Sequence, residues 1–135
     1  MPLDIQQAHP NRTVLQLTSL QVKPSETVLT AIITNGADRD IQLNRFGSDD
    51  TYLATGDGQK LYLSAPAAND NLTIPPGQRI EAELVFLGEL RKGNSATLII
   101  NEGNQTGNKY TSTPGFRVAI PIEDAAFSDD GSKKN

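Results

Sequence analysis

The side chains able to do chemistry are few, and where they stand narrows what they can do. A single imidazole, His9, lies beside Pro10, and cysteine is absent. One histidine cannot build a multi-histidine metal site, and Ser25, Ser95 and Ser112 have no base near them in sequence, so nucleophilic catalysis is not expected. Without thiols there is no disulfide framework and no Cys-liganded zinc. Carboxylates are the remaining reactive groups. Asp38 with Asp40, and Asp49 and Asp50 with Asp57, could present an oxygen-rich loop site to calcium, which takes about six to eight oxygen ligands. The spacing is not that of an EF-hand. Acidic residues also populate turns because their side chains accept backbone N–H groups. Glu81 and Glu83 sit two apart on one face of an extended segment, as a carboxylate pair for acid–base work would, but Arg79 shares that face and can neutralise them. Tyr52, Tyr62 and Tyr110 are of the exposed type and could form contact platforms. Asn11-Arg12-Thr13, Asn71-Leu72-Thr73 and Asn104-Gln105-Thr106 fit the glycosylation triplet, a pattern common by chance in loops rich in Asn and Thr.

The elements that must position these residues read as strands. Leu15 and Leu17 share one face and Leu20 and Val22 another, so the phase slips at Thr18-Ser19 and predicts a bulge. ETVLTAIITN is apolar on both faces, as a central strand should be, and ends at Asn35-Gly36, a turn signal. IQLNRF (41–46) is the next strand, followed by a short polar one holding Tyr52 and Leu53, then KLYLS. NLTI is expected at a sheet edge, because Pro75 and Pro76 donate no hydrogen bonds to a ladder. RIEAELVF, SATLII and GFRVAIPI alternate with period two, and no segment carries a helical stripe. The reading is an all-β antiparallel sandwich of seven to eight strands over residues 12–122, with an N-terminal arm (1–11) and a flexible tail (123–135). Leu15, Leu17, Ile33, Leu43, Leu84, Phe86, Leu98, Ile100, Phe116 and Val118 should form its core.

Composition removes further classes. In 135 residues, 36% hydrophobic and 21% charged content suits one globular domain rather than a disordered chain. A net charge of −4 opposes nucleic-acid binding, which depends on neutralising phosphates. No apolar run reaches the roughly 20 residues of a membrane span. The opening MPLDIQQAHPN has neither the basic nor the apolar region of a signal peptide.

Three features together carry a resemblance: TAIITNG (30–36), Asp57-Gly58 leading into Leu61-Tyr62, and IPPGQRIEAELVF (74–86). They resemble immunoglobulin-like domains of bacterial envelope proteins and lipoproteins, a family of unknown function. The resemblance implies a sandwich scaffold placed outside the cytoplasm; elimination of catalytic, metal-binding and basic-surface chemistry then leaves a non-catalytic module without a cofactor that contacts a protein or glycan through its end loops. Alternatives are a calcium-dependent binder or small enzyme using the acidic loops, and a loop-based protease inhibitor. In such a sandwich the loops 35–40, 75–78 and 101–114 converge on one end. The expected contact residues there are Tyr110, Lys109, Glu102, Asp38 and Arg39.

Overall fold

Alternation of apolar and polar side chains becomes a folded antiparallel sheet in the computed structural model, which describes residues 1–44, 51–64, 72–88, 90–91, 95–102 and 111–122. The strands are β1 (Pro2–Ala8), β2 (Thr13–Val22), β3 (Glu26–Asn35), β4 (Ile41–Gln42), β5 (Tyr52–Thr55), β6 (Lys60–Ser64), β7 (Thr73–Ile74), β8 (Arg79–Leu87), β9 (Ala96–Ile100) and β10 (Phe116–Ile120). Eight of them lie in the order β1-β2-β3-β8-β6-β5-β9-β10, while β4 and β7 form a separate ribbon. The layers β1-β2-β3-β8 and β6-β5-β9-β10 join through a short pairing in which Leu63 and Ser64 of β6 meet Phe86 and Val85 of β8.

The inward faces follow from period two. Leu29 pairs with Leu84, Ala31 with Ala82 and Ile33 with Ile80 across β3 and β8, while Leu15 and Leu17 of β2 flank Ile33 and Ala31. From the other layer come Leu53, Leu61, Leu98, Ile100, Phe116, Val118 and Ile120. All ten residues expected in the core belong to this one apolar cluster. The slip in β2 is a register shift between Leu17 and Ser19, as the phase change requires.

Three expectations are corrected. The residues read as an N-terminal arm, 1–11, are part of the sheet: β1 pairs with β2, and Leu3 and Ile5 pack against the core. Leu3, Ile5 and Ala8 among seven residues are too weak a pattern to announce a strand; the hydrogen bonds that make it one come from β2. Of the strand expected over 41–46, only Ile41–Gln42 is strand among the described residues 41–44, with 45–46 outside them; it pairs with β7 at the margin, and β5 stands beside β9. Tyr52 is not an exposed platform, because it is 3% accessible between Tyr62 and Ile99 of the adjacent strands. Tyr62 is partly exposed, as its alternation with Leu61 and Leu63 requires.

Antiparallel pairing puts the connections β1–β2, β3–β4, β7–β8 and β9–β10 at one end. Turns β2–β3, β5–β6 and β8–β9 lie at the other.

Candidate functional site

At the first of these ends, three asparagines leave the chain's apolar pattern and turn inward. Asn11, Asn35 and Asn101 are 2%, 0% and 0% accessible. A buried amide must find partners, and each of these finds them on distant backbone. Asn35 closes β3. Its Nδ2 donates to the carbonyls of Arg39 and Ile74, both at 2.8 Å, and its Oδ1 accepts from the Ala37 N–H at 2.8 Å. Its own main chain pairs with Gln78 and Gly77, so the 35–40 and 75–78 loops are tied together. Asn101 follows β9 at φ +51, a left-handed conformation asparagine tolerates. Its Nδ2 donates to the carbonyls of Gln42 at 2.8 Å and Pro114 at 2.9 Å. Asn11 donates from Nδ2 to the Thr111 carbonyl at 3.0 Å and accepts from the Thr13 N–H at 3.0 Å. The described parts of the loops predicted to converge, 35–40, 75–78, 101–102 and 111–114, do so, and the turn after β1 joins them, while 103–110 lie outside the described residues.

His9 is part of the same lattice. It is buried, its Nδ1 accepts the Asn11 N–H at 3.1 Å, and its ring meets Phe116 edge-on at 5.8 Å. Nε2 is buried without a hydrogen-bond partner among the described residues. Burial pushes its pKa below the ordinary histidine value. It is built as a neutral structural group.

The expected contact residues separate into three groups. Asp38 and Arg39 come together as an exposed ion pair at 3.3 Å on the loop after β3. Glu102 is exposed in the turn after β9. Burial, reinforced by a hydrogen bond to Glu102, pushes the Tyr52 phenol up to about 12. Tyr110 and Lys109 lie outside the described residues, as do Asp49 and Asp50 of the acidic-loop reading. Asp57, the third member of that reading, sits in the β5–β6 turn at the opposite end from Asp38 and Asp40. There its carboxylate accepts from the Thr55 hydroxyl, which holds its pKa below the ordinary value. Among the described residues no group of three or more His, Cys, Asp or Glu side chains could hold a metal. Arg79, Glu81 and Glu83 are all exposed on the outer side of β8.

Sequence reasoning missed the asparagine lattice. Asn35-Gly36 read as a turn, and Asn11 as a turn or a glycan acceptor, yet a side chain 2% accessible with both amide atoms engaged cannot accept a glycan in the folded protein. The available signal was position: each asparagine adjoins an apolar strand.

An open cleft of about 340 Å³ lies between the 10–12 turn and the 36–39 loop, with Arg12, Asp38 and Arg39 as its charged walls. Among the described residues no helix is long and apolar enough to cross a membrane.

No protein-family model matches the chain, and the search of curated proteins returned no match. Among solved structures the chain is similar to the crystal structure of a putative lipoprotein (ycdA) from Bacillus subtilis, with 14% identity and a TM-score of 0.52. The alignment covers 87% of this chain and 39% of that one, and the likeness is one of fold.

Proposed function

We propose that this protein is a non-catalytic, immunoglobulin-like module of a cell envelope that contacts a partner through the asparagine-pinned loop end. The carrying observation is the pinning itself. Loops that only close a sandwich need no buried amides, whereas Asn11, Asn35 and Asn101 fix five backbone carbonyls of other segments at this end. Preorganised loops lose less conformational entropy when they bind. Strand order supports the immunoglobulin-like part. With β2, β3, β5, β6, β8, β9 and β10 taken as seven successive strands A to G, the order is A-B-E-D-C-F-G, which contains the A-B-E and C-F-G runs of a Greek-key sandwich, with D paired to both C and E. The structural likeness to a protein described as a lipoprotein supports the envelope part. Absence of catalysis is supported by the single histidine's burial and by the engagement of its Nδ1.

The test is capture from the native cell extract, quantified by mass spectrometry. It compares the parent with a loop-end variant (Arg12→Glu, Arg39→Glu, Glu102→Lys) and a far-end variant (Lys23→Glu, Gln59→Lys). Partners should be lost from the loop-end variant alone. Loss from the far-end variant with retention by the loop-end variant would reverse the assignment.

A further inference from the structure

The cleft at the loop end is specific enough in its chemistry to name a ligand class. Of its three charged side chains among the described residues, Asp38 and Arg39 already face each other at 3.3 Å, which leaves Arg12 to set the sign of the described walls. Arg12 is exposed, and its guanidinium takes part in no hydrogen bond or ion pair among the described residues. Its backbone has φ +75. A Cβ is crowded in that region, and glycine, asparagine or aspartate usually occupies it. Gly36 closes against it: the Gly36 N–H donates to the Arg12 carbonyl at 2.9 Å. A Cβ on Gly36 would meet that oxygen at 2.6 Å. The 10–12 turn and the 36–39 loop are therefore locked together, and Asn35 holds the second of them through its bonds to Ala37 and Arg39. A long cation kept at a position whose backbone favours glycine, without a partner among the described residues and on a fixed frame, is strain retained for the side chain.

We propose that this cleft binds a carboxylate of an acidic peptide segment on a partner protein, with the Arg12 guanidinium as the bidentate donor. The inference rests on the loop-end reading and names its ligand. A guanidinium fork matches the two oxygens of a carboxylate. Among the described residues the walls contain no aromatic ring on which a sugar or a base could stack, while Pro10 and Ala37 offer apolar flanks to a peptide main chain. The protein's net charge of −4 repels anions at long range, so recognition depends on this short-range contact.

Fluorescence anisotropy with labelled octaglutamate, octaglutamine and an octamer of a uronic acid tests the proposal. The parent should bind octaglutamate about tenfold or more tightly than the other two, and added salt should weaken the complex. Arg12→Gly is the diagnostic variant because glycine accepts φ +75. It should keep or raise the urea midpoint while octaglutamate affinity falls about tenfold or more, and Arg12→Lys should fall between. Octaglutamate binding unchanged in Arg12→Gly would overturn the proposal, whatever the extract capture returns. Equal or tighter binding of octaglutamine or of the uronic acid by the parent would overturn the acidic-peptide assignment. Octaglutamate binding lost in Arg12→Gly, with native partners retained by the loop-end variant, would uphold the cleft chemistry and overturn the loop-end reading instead.

Discussion

Asn35→Ala removes three hydrogen bonds of 2.8 Å in a side chain with no accessible surface. A typical intramolecular hydrogen bond contributes about 1 kcal/mol net, and a buried group left unpaired costs about 1–3 kcal/mol. The Ile74 carbonyl belongs to a residue with 0% accessibility and would be left without its amide donor, so its share sits at the upper end of that range. The Arg39 carbonyl and Ala37 N–H can recruit water, at about 0.5–1 kcal/mol each. The sum is a destabilisation of about 3–4 kcal/mol, read as a lowered urea midpoint at constant m-value. Amide exchange at Ala37 should accelerate as the 36–39 loop loosens. Asn35→Asp separates hydrogen bonding from packing. It keeps the size and the Oδ1 acceptor, but it replaces the donor with a buried carboxylate facing two carbonyls, so it should cost at least as much as alanine. A loss below about 1 kcal/mol in Asn35→Ala, or an aspartate variant milder than the alanine one, would refute the lattice as the source of loop order.

Other substitutions probe the remaining layers. Phe86 has 0% accessibility in the core between the layers, so Phe86→Ala should cost about 3–5 kcal/mol in the same urea assay. Thr13 is fully buried with its hydroxyl unpartnered among the described residues; Thr13→Val keeps the shape and should leave stability unchanged or raise it by up to about 1 kcal/mol. His9 predicts a pH dependence whose sign follows from its lowered pKa. Between the folded value and the unfolded value of about 6.5, the unfolded chain binds more protons. The stability from neutral His9 is therefore complete above about pH 6.5 and declines as the pH falls toward the folded pKa. Urea midpoints of the parent and His9→Gln, compared at pH 7.5 and 5, should show the parent losing more.

Period-two alternation in sequence determined which side chains face inward, because a strand has only two faces and one of them must be dry. Leu84 and Phe86, Leu98 and Ile100, Phe116 and Val118 were legible for that reason, and so was the bulge at Thr18, where the dry face changes parity. Turn residues likewise located the convergent loop end. Partner choice was not local. Nothing in IQLNRF or in YLAT says which one hydrogen-bonds to β9; that was decided by which segment could reach β9 while Ile41 and Leu43 stayed buried. The site was the least legible part. An asparagine beside a strand is written identically whether it caps a wet turn or holds a buried carbonyl. For Asn11, Asn35 and Asn101 the deciding acceptors include Thr111, Ile74 and Gln42, 100, 39 and 59 residues away in the chain. A buried amide is stable only when such groups meet it with good geometry, and that meeting exists only once the chain has folded.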